Sequence, residues 1–119
     1  MNKAQLTIKG KKEDAYVSMY VLSETCEKYD VANIGILGNN IINFGFKWLP
    51  VVMFEGVKYS YEREGKPFDL KLFNFIDYLD DNGMDSEEVI NFVEVFSKSI
   101  QKHVKVDEGN EKKGDAKKK

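Results

Sequence analysis

Residue types that carry chemistry are sparse in this chain: one cysteine, one histidine and one short acidic cluster. Cys26 has no second cysteine to pair with, no CxxC partner and no histidine near it in sequence, so it reads as a small core residue rather than a nucleophile. His103 falls at the end of a helical stretch, where an imidazole suits the negative end of the helix dipole, and it too reads as structural. Asp77, Asp80, Asp81 and Asp85 offer carboxylates to a cation, yet the alternating ligands and closing glutamate of a calcium loop are missing, and solvated helix ends account for them. Gly35, Gly38 and Gly45 make neither GxGxxG nor a lysine-bearing phosphate loop, and no GxSxG occurs. The expectation is a protein that is not an enzyme, takes no metal or cofactor, and works by binding other polypeptides.

The elements that would position such a binding surface follow from periodicity. Gln5-Leu6-Thr7-Ile8-Lys9 alternates polar and apolar residues and runs into Gly10-Lys11-Lys12, which predicts a short strand or hairpin arm and a turn. Ala15, Met19, Leu22, Cys26 and Tyr29 recur at helical spacing and predict a first helix over 14–29. Over 34–65 the glycines at 35, 38, 45 and 56 loosen any helix, and the reading is a kinked or broken one, with Pro50 opening its second piece and Tyr59-Ser60-Tyr61 ending it or forming a short strand. After Gly65-Lys66-Pro67, Asp69 is expected to cap a helix carrying Leu72, Phe75, Ile76 and Leu79, stopped by Asn82-Gly83. Asp85-Ser86-Glu87-Glu88 reads as a capping box, with the Asp85 carboxylate on the Glu88 amide and the Glu88 side chain reaching back. Val89, Val93, Phe96, Ile100 and Val104 then line one face of a final helix.

The predicted fold class is mainly α with a small N-terminal β element: a compact single domain over 1–106 and a disordered charged tail over 107–119, which has almost nothing apolar to offset the entropy of ordering it. A chain of 119 residues can bury a core without disulfides or metal, and the single cysteine suits a reducing cytoplasm. A net charge of −2 supplies no bulk positive field for nucleic acid or an anionic membrane. The first residues lack the apolar core of a signal peptide, and the apolar stretch 34–54 is interrupted by Asn39, Asn40, Asn43, Lys47 and Pro50, so secretion and membrane spanning are not expected.

Aromatic residues are the unusual feature, because so many crowd the middle of a small chain that they cannot all be fully buried. Trp48, Phe54, Tyr59, Tyr61, Phe73, Phe92 and Phe96 are the expected partner-binding residues, against the plain alternative that most aromatics are core.

The order of features resembles the tail assembly chaperones of long-tailed phages, whose gene lies between those of the tail tube and the tape measure. The likeness is carried by Leu6-Thr7-Ile8-Lys9-Gly10-Lys11, by Met19-Tyr20-Val21-Leu22-Ser23-Glu24, by the apolar run Leu49 to Tyr59 with Phe54-Glu55-Gly56-Val57-Lys58 inside it, and by the paired C-terminal helices. Pro50 and the Gly- and Asn-rich passage 33–45 depart from the family's pattern. The resemblance implies a non-catalytic protein of the host bacterial cytoplasm, absent from the mature virion. It would coat the tape measure protein, self-associating as a helical oligomer, and hand it over as tail tube protein polymerises. Family members are often also made in a longer form by a −1 frameshift, for which Lys112-Lys113-Gly114 and Lys117-Lys118-Lys119 are candidate sites, although a solubilising tail accounts for those lysines as well. The rival expectations are a structural virion protein, such as a connector or tail-completion subunit, and a small ligand-binding regulator.

Overall fold

Alternation builds the N-terminus into a hairpin. In the computed structural model, which describes residues 2–103, β1 (Lys3–Ile8) pairs antiparallel with β2 (Lys11–Tyr16), from Lys3 opposite Tyr16 to Ile8 opposite Lys11. Lys9 and Gly10 form the two-residue turn with φ of 54° and 80°, positive values at both positions that match the right-handed twist of the strands. Ala4, Leu6 and Ile8 face inward with Ala15, and Lys3, Gln5 and Lys12 face solvent.

The second strand corrects the first helix. Asp14, Ala15 and Tyr16 belong to β2, and α1 is Met19–Lys28. Ser18 caps it, its hydroxyl accepting the Val21 amide at 3.3 Å, while Val17 is still tied to the Asn2 carbonyl as an extension of the hairpin. Leu22 and Cys26 lie on the buried face as expected, whereas Met19 is exposed.

The middle of the chain is two helices, α2 (Ile34–Asn43) and α3 (Gly45–Glu64). Asn33 caps α2 by accepting the Ile36 amide at 2.9 Å. The break falls at Phe44 alone, whose φ of −139° and ψ of 55° leave the helical region, and not at Pro50, which sits inside α3. One proline near the start of a helix removes a single backbone bond, and the burial of Pro50 with Leu49, Val51, Val52 and Met53 outweighs that loss. Tyr59-Ser60-Tyr61 continues the helix, which ends at Gly65 in the left-handed conformation, φ 69°. Packed by β2, α1, α2 and α4, α3 is buried nearly all round and forms the central element.

Gly56 is what allows this. A β-carbon there would lie 2.5 Å from the Tyr16 carbonyl oxygen and 3.1 Å from the Tyr16 nitrogen, so α3 reaches the hairpin backbone only because no side chain intervenes. Beside this contact the Tyr61 hydroxyl donates to the buried Glu13 carboxylate at 2.9 and 3.1 Å.

Two helices close the fold. In α4 (Leu72–Asn82) Asp69 is not the cap; the Asn74 side chain accepts the Lys71 amide at 2.8 Å instead. The helix stops at Gly83, as read from sequence, and buries Phe75, Tyr78 and Leu79 but leaves Ile76 exposed. In α5 (Glu87–His103) the first-turn donor is met by Ser86, whose hydroxyl accepts the Val89 amide at 3.4 Å. Glu88 does not reach back to form a capping box. Its carboxylate accepts the Thr7 amide at 2.9 Å, the Thr7 hydroxyl at 2.7 Å and the Tyr78 hydroxyl at 2.8 Å, which pins α5 and α4 to the hairpin. Further along, the buried Ser99 hydroxyl donates to the Val17 carbonyl at 2.8 Å. The architecture is mainly helical with a two-stranded N-terminal element, and Leu6, Leu22, Leu37, Leu49, Met53, Phe75 and Phe92 form the heart of its core. Val104, and the tail expected over 107–119, lie outside the described residues.

The Glu88 cluster sets a pH window. Burial opposes the Glu88 charge, but the three donors, with Lys12 nearby, hold its carboxyl below the ordinary value. Burial, then the hydrogen bond to Glu88 and its charge, push the Tyr78 hydroxyl up. A lowered acid contributes stability above about pH 4.3 that is lost as pH falls through the folded value; a raised phenol contributes stability that is lost as pH rises from about 10 through its own folded value. Urea denaturation across pH should therefore give a plateau that drops at both ends, with the acid drop reduced in Glu88→Gln; an unchanged acid limb in that variant would rule the cluster out as its source.

Candidate functional site

The unusual surface lies where α2 gives way to α3. Ile42 is 80% exposed, Phe44 62% and Phe46 66%, three large apolar side chains within five residues. They fall at every second position across a helix break, a spacing that a single helical stripe cannot bury in full. Ile42 is also one wall of a groove of about 390 Å³ between α2 and α5. Gly38 and Ile41 complete that wall, Leu49 and Phe96 lie at its base, Met84 closes one side, and Val93, Ile100, Ser97 and Gln101 make the α5 wall. Only Ser97 and Gln101 bring polar side chains, and α2 carries no charged residue.

The seven aromatics expected at a partner surface separate into three groups. Phe73 is exposed, on α4. Trp48, Phe54, Tyr59 and Tyr61 are half-buried and engaged with other rings of the chain: Trp48 edge-on to Tyr29, Phe54 between Phe68 and Phe75, Tyr61 against Phe68, and Tyr59 between Tyr16 and Tyr20 with Arg63 over it. Phe92 is fully buried in the core, and Phe96 is buried, offering only an edge to the groove. Phe92 is thus not a surface residue, and the patch at 42–46 is the one that sequence selection passed over. Its signal was the period-two spacing of Ile42, Phe44 and Phe46 beside Asn43 and Gly45.

Comparison with protein-family models, with curated proteins and with solved structures finds no match for this chain.

The titratable groups elsewhere divide between solvent and core. Asp77, Asp80, Asp81 and Asp85 are exposed, and among the described residues no three His, Cys, Asp or Glu side chains are placed to hold a metal ion. Cys26 is buried, and burial pushes its thiol pKa up, away from the reactive thiolate. Glu55 is 4% exposed, with one oxygen on Lys28 at 3.1 Å and the other without a hydrogen-bond partner among the described residues, beside a space of about 30 Å³ that a single water would fill. The side chain of His103 is not described. No described helix is long and apolar enough to cross a membrane.

Proposed function

We propose that this protein is a tail assembly chaperone of a long-tailed phage: a non-catalytic protein that binds the tape measure protein and tail tube subunits in the bacterial cytoplasm during assembly and is left out of the finished virion. The observation that carries the reading is the exposed Ile42, Phe44 and Phe46, of which Ile42 also lines the apolar groove, since an uncovered apolar surface of this kind is what holding an aggregation-prone client requires. The segments behind the resemblance fall in the hairpin, in α1, in the central stretch of α3 and in the pair α4 and α5, an order compatible with it.

The test is co-expression with the neighbouring large tape measure candidate and tube protein, followed by affinity capture and size-exclusion chromatography. The chaperone reading expects the large protein to be soluble and to co-elute only when this chain is present, and mass spectrometry of purified virions to lack this chain. Retention in virions would favour a connector or completion subunit instead. The combined variant Ile42→Ser, Phe44→Ser, Phe46→Ser is expected to remain folded, each exposed change costing about 0.5 kcal/mol or less, while client capture falls at least tenfold. Undiminished capture would move the binding surface elsewhere.

The groove also favours a second reading, a small ligand-binding regulator, because about 390 Å³ of mainly apolar space with a few polar side chains has the size and character of a ligand pocket. A metabolite panel that raised the melting midpoint by several degrees would put that reading first.

A further inference from the structure

Three occupants can cover the α2–α5 groove: the chain's own C-terminal segment, a second copy, or a segment of another polypeptide. The C-terminal segment is poorly suited. Residues 104–119 contain Val104, Val106 and Ala116 as their only apolar side chains, among ten charged ones, too few to fill a groove whose base is Leu49 and Phe96.

Area decides between the other two. A large aromatic side chain buries about 150–250 Å², so Phe44 and Phe46 at roughly two-thirds exposure, with Ile42, offer about 300–450 Å². A stable interface takes about 800 Å² from each partner. A dimer built on this surface alone falls well short, whereas a short contact that must be released does not need that area. A long client offers such segments repeatedly, and many weak contacts along one chain add through effective concentration.

The shape of the groove names the segment. Its α5 wall runs from Val93 to Gln101, about 12 Å or two helical turns. At Gly38 the opposite wall has no side chain, and the Ile100 Cδ1 lies 4.0 Å from where a β-carbon would be, so the floor of the groove is narrow there and its mouth is bounded by Ile42 and Gln101. The α2 wall has no charge to reward an ionic ligand, and Ser97 and Gln101 lie on the polar flank. We propose that the groove takes one amphipathic α-helix of the client, lying across the packed pair α2 and α5, with apolar side chains at i, i+3 or i+4, and i+7 reaching into the groove toward Leu49 and Phe96 and with Phe44 and Phe46 packing at its end. This rests on the chaperone reading for the identity of the client, a long polypeptide with many helical segments.

The test uses the full chain with labelled Ile, Leu and Val methyl groups, titrated with overlapping synthetic peptides that tile the client, each about 20 residues or five to six helical turns long. The expected result is that peptides with the i, i+4, i+7 apolar pattern shift the methyl signals of Ile41, Ile42, Leu49 and Ile100. Gly38→Leu, which fills the groove, should weaken their binding at least tenfold, and so should Ile42→Glu, an exposed change that the fold tolerates. Peptides that bind while shifting only hairpin or α1 methyls overturn the groove assignment and leave the chaperone reading standing. If the whole client co-elutes on co-expression but no single peptide binds, the one-helix mode is wrong and the chaperone reading again survives. If the client is not captured either, both fall.

Discussion

Gly56→Ala is expected to destabilise the protein by about 3 kcal/mol or more, although it adds a single methyl group and replaces glycine with the best helix former. The new β-carbon would sit 2.5 Å from the Tyr16 carbonyl oxygen, 3.1 Å from the Tyr16 nitrogen and 3.4 Å from the Ala15 carbonyl carbon. All three are backbone atoms of a paired strand, so no side-chain rotation relieves the clash, and α3 must separate from the hairpin. Gly38→Ala provides the control within the same protein. Its β-carbon meets only the flexible end of Ile100 at 4.0 Å, and the gain in helix propensity should stabilise the fold by about 0.5–1 kcal/mol. Urea denaturation of the pair therefore expects changes of opposite sign. A Gly56→Ala variant within about 0.5 kcal/mol of the parent would mean that α3 does not approach β2 as closely as described.

The second large effect is expected at Glu88. Replacing it with alanine removes the acceptor for the Thr7 amide, the Thr7 hydroxyl and the Tyr78 hydroxyl together, and a hydrogen bond to a charged group contributes about 1.5–3 kcal/mol. These three share one carboxylate and are not additive, so a loss of about 3 kcal/mol is expected for Glu88→Ala. Glu88→Gln keeps the shape and an acceptor and should lose less. Thr7→Val removes the hydroxyl alone, and a double-mutant cycle with Glu88→Gln should give a coupling of about 1 kcal/mol. The cluster joins β1 to α5 across 81 residues of sequence, so hydrogen exchange should quicken at both the hairpin and the first turn of α5. Faster exchange confined to α5 would show that Glu88 supports only its own helix.

Much of the architecture was written locally. Alternation in Gln5–Lys9 marked the first strand, Gly65-Lys66-Pro67 and Asn82-Gly83 marked the breaks around α4, and the spacing of Val89, Val93, Phe96 and Ile100 marked α5. These signals depend on neighbours within a few residues, which is the range over which side-chain period and capping act. Where two local readings competed, the sequence could not choose. Ala15 fits a helical face with Met19 and Leu22, yet it also fits the strand alternation of Glu13, Ala15 and Val17, and pairing with Ala4 selected the strand.

The candidate surface was less legible than the fold. Aromatic content pointed to Trp48, Phe54, Tyr59 and Tyr61, but composition cannot tell a ring that waits for a partner from one already stacked on Phe68, Tyr16 or Tyr29. Exposure at Ile42, Phe44 and Phe46 depends on where the chain breaks, and the break fell at Phe44 rather than Pro50 because α3 is held by its neighbours on nearly every side. What the sequence determined by itself was the kind and approximate order of the elements, since period, caps and turns are local. Tertiary structure alone decided that Gly56 is a contact point, that Glu88 is a clamp on Thr7 and Tyr78, and that the apolar surface lies at 42–46, because each depends on which distant backbone or side chain arrives beside it.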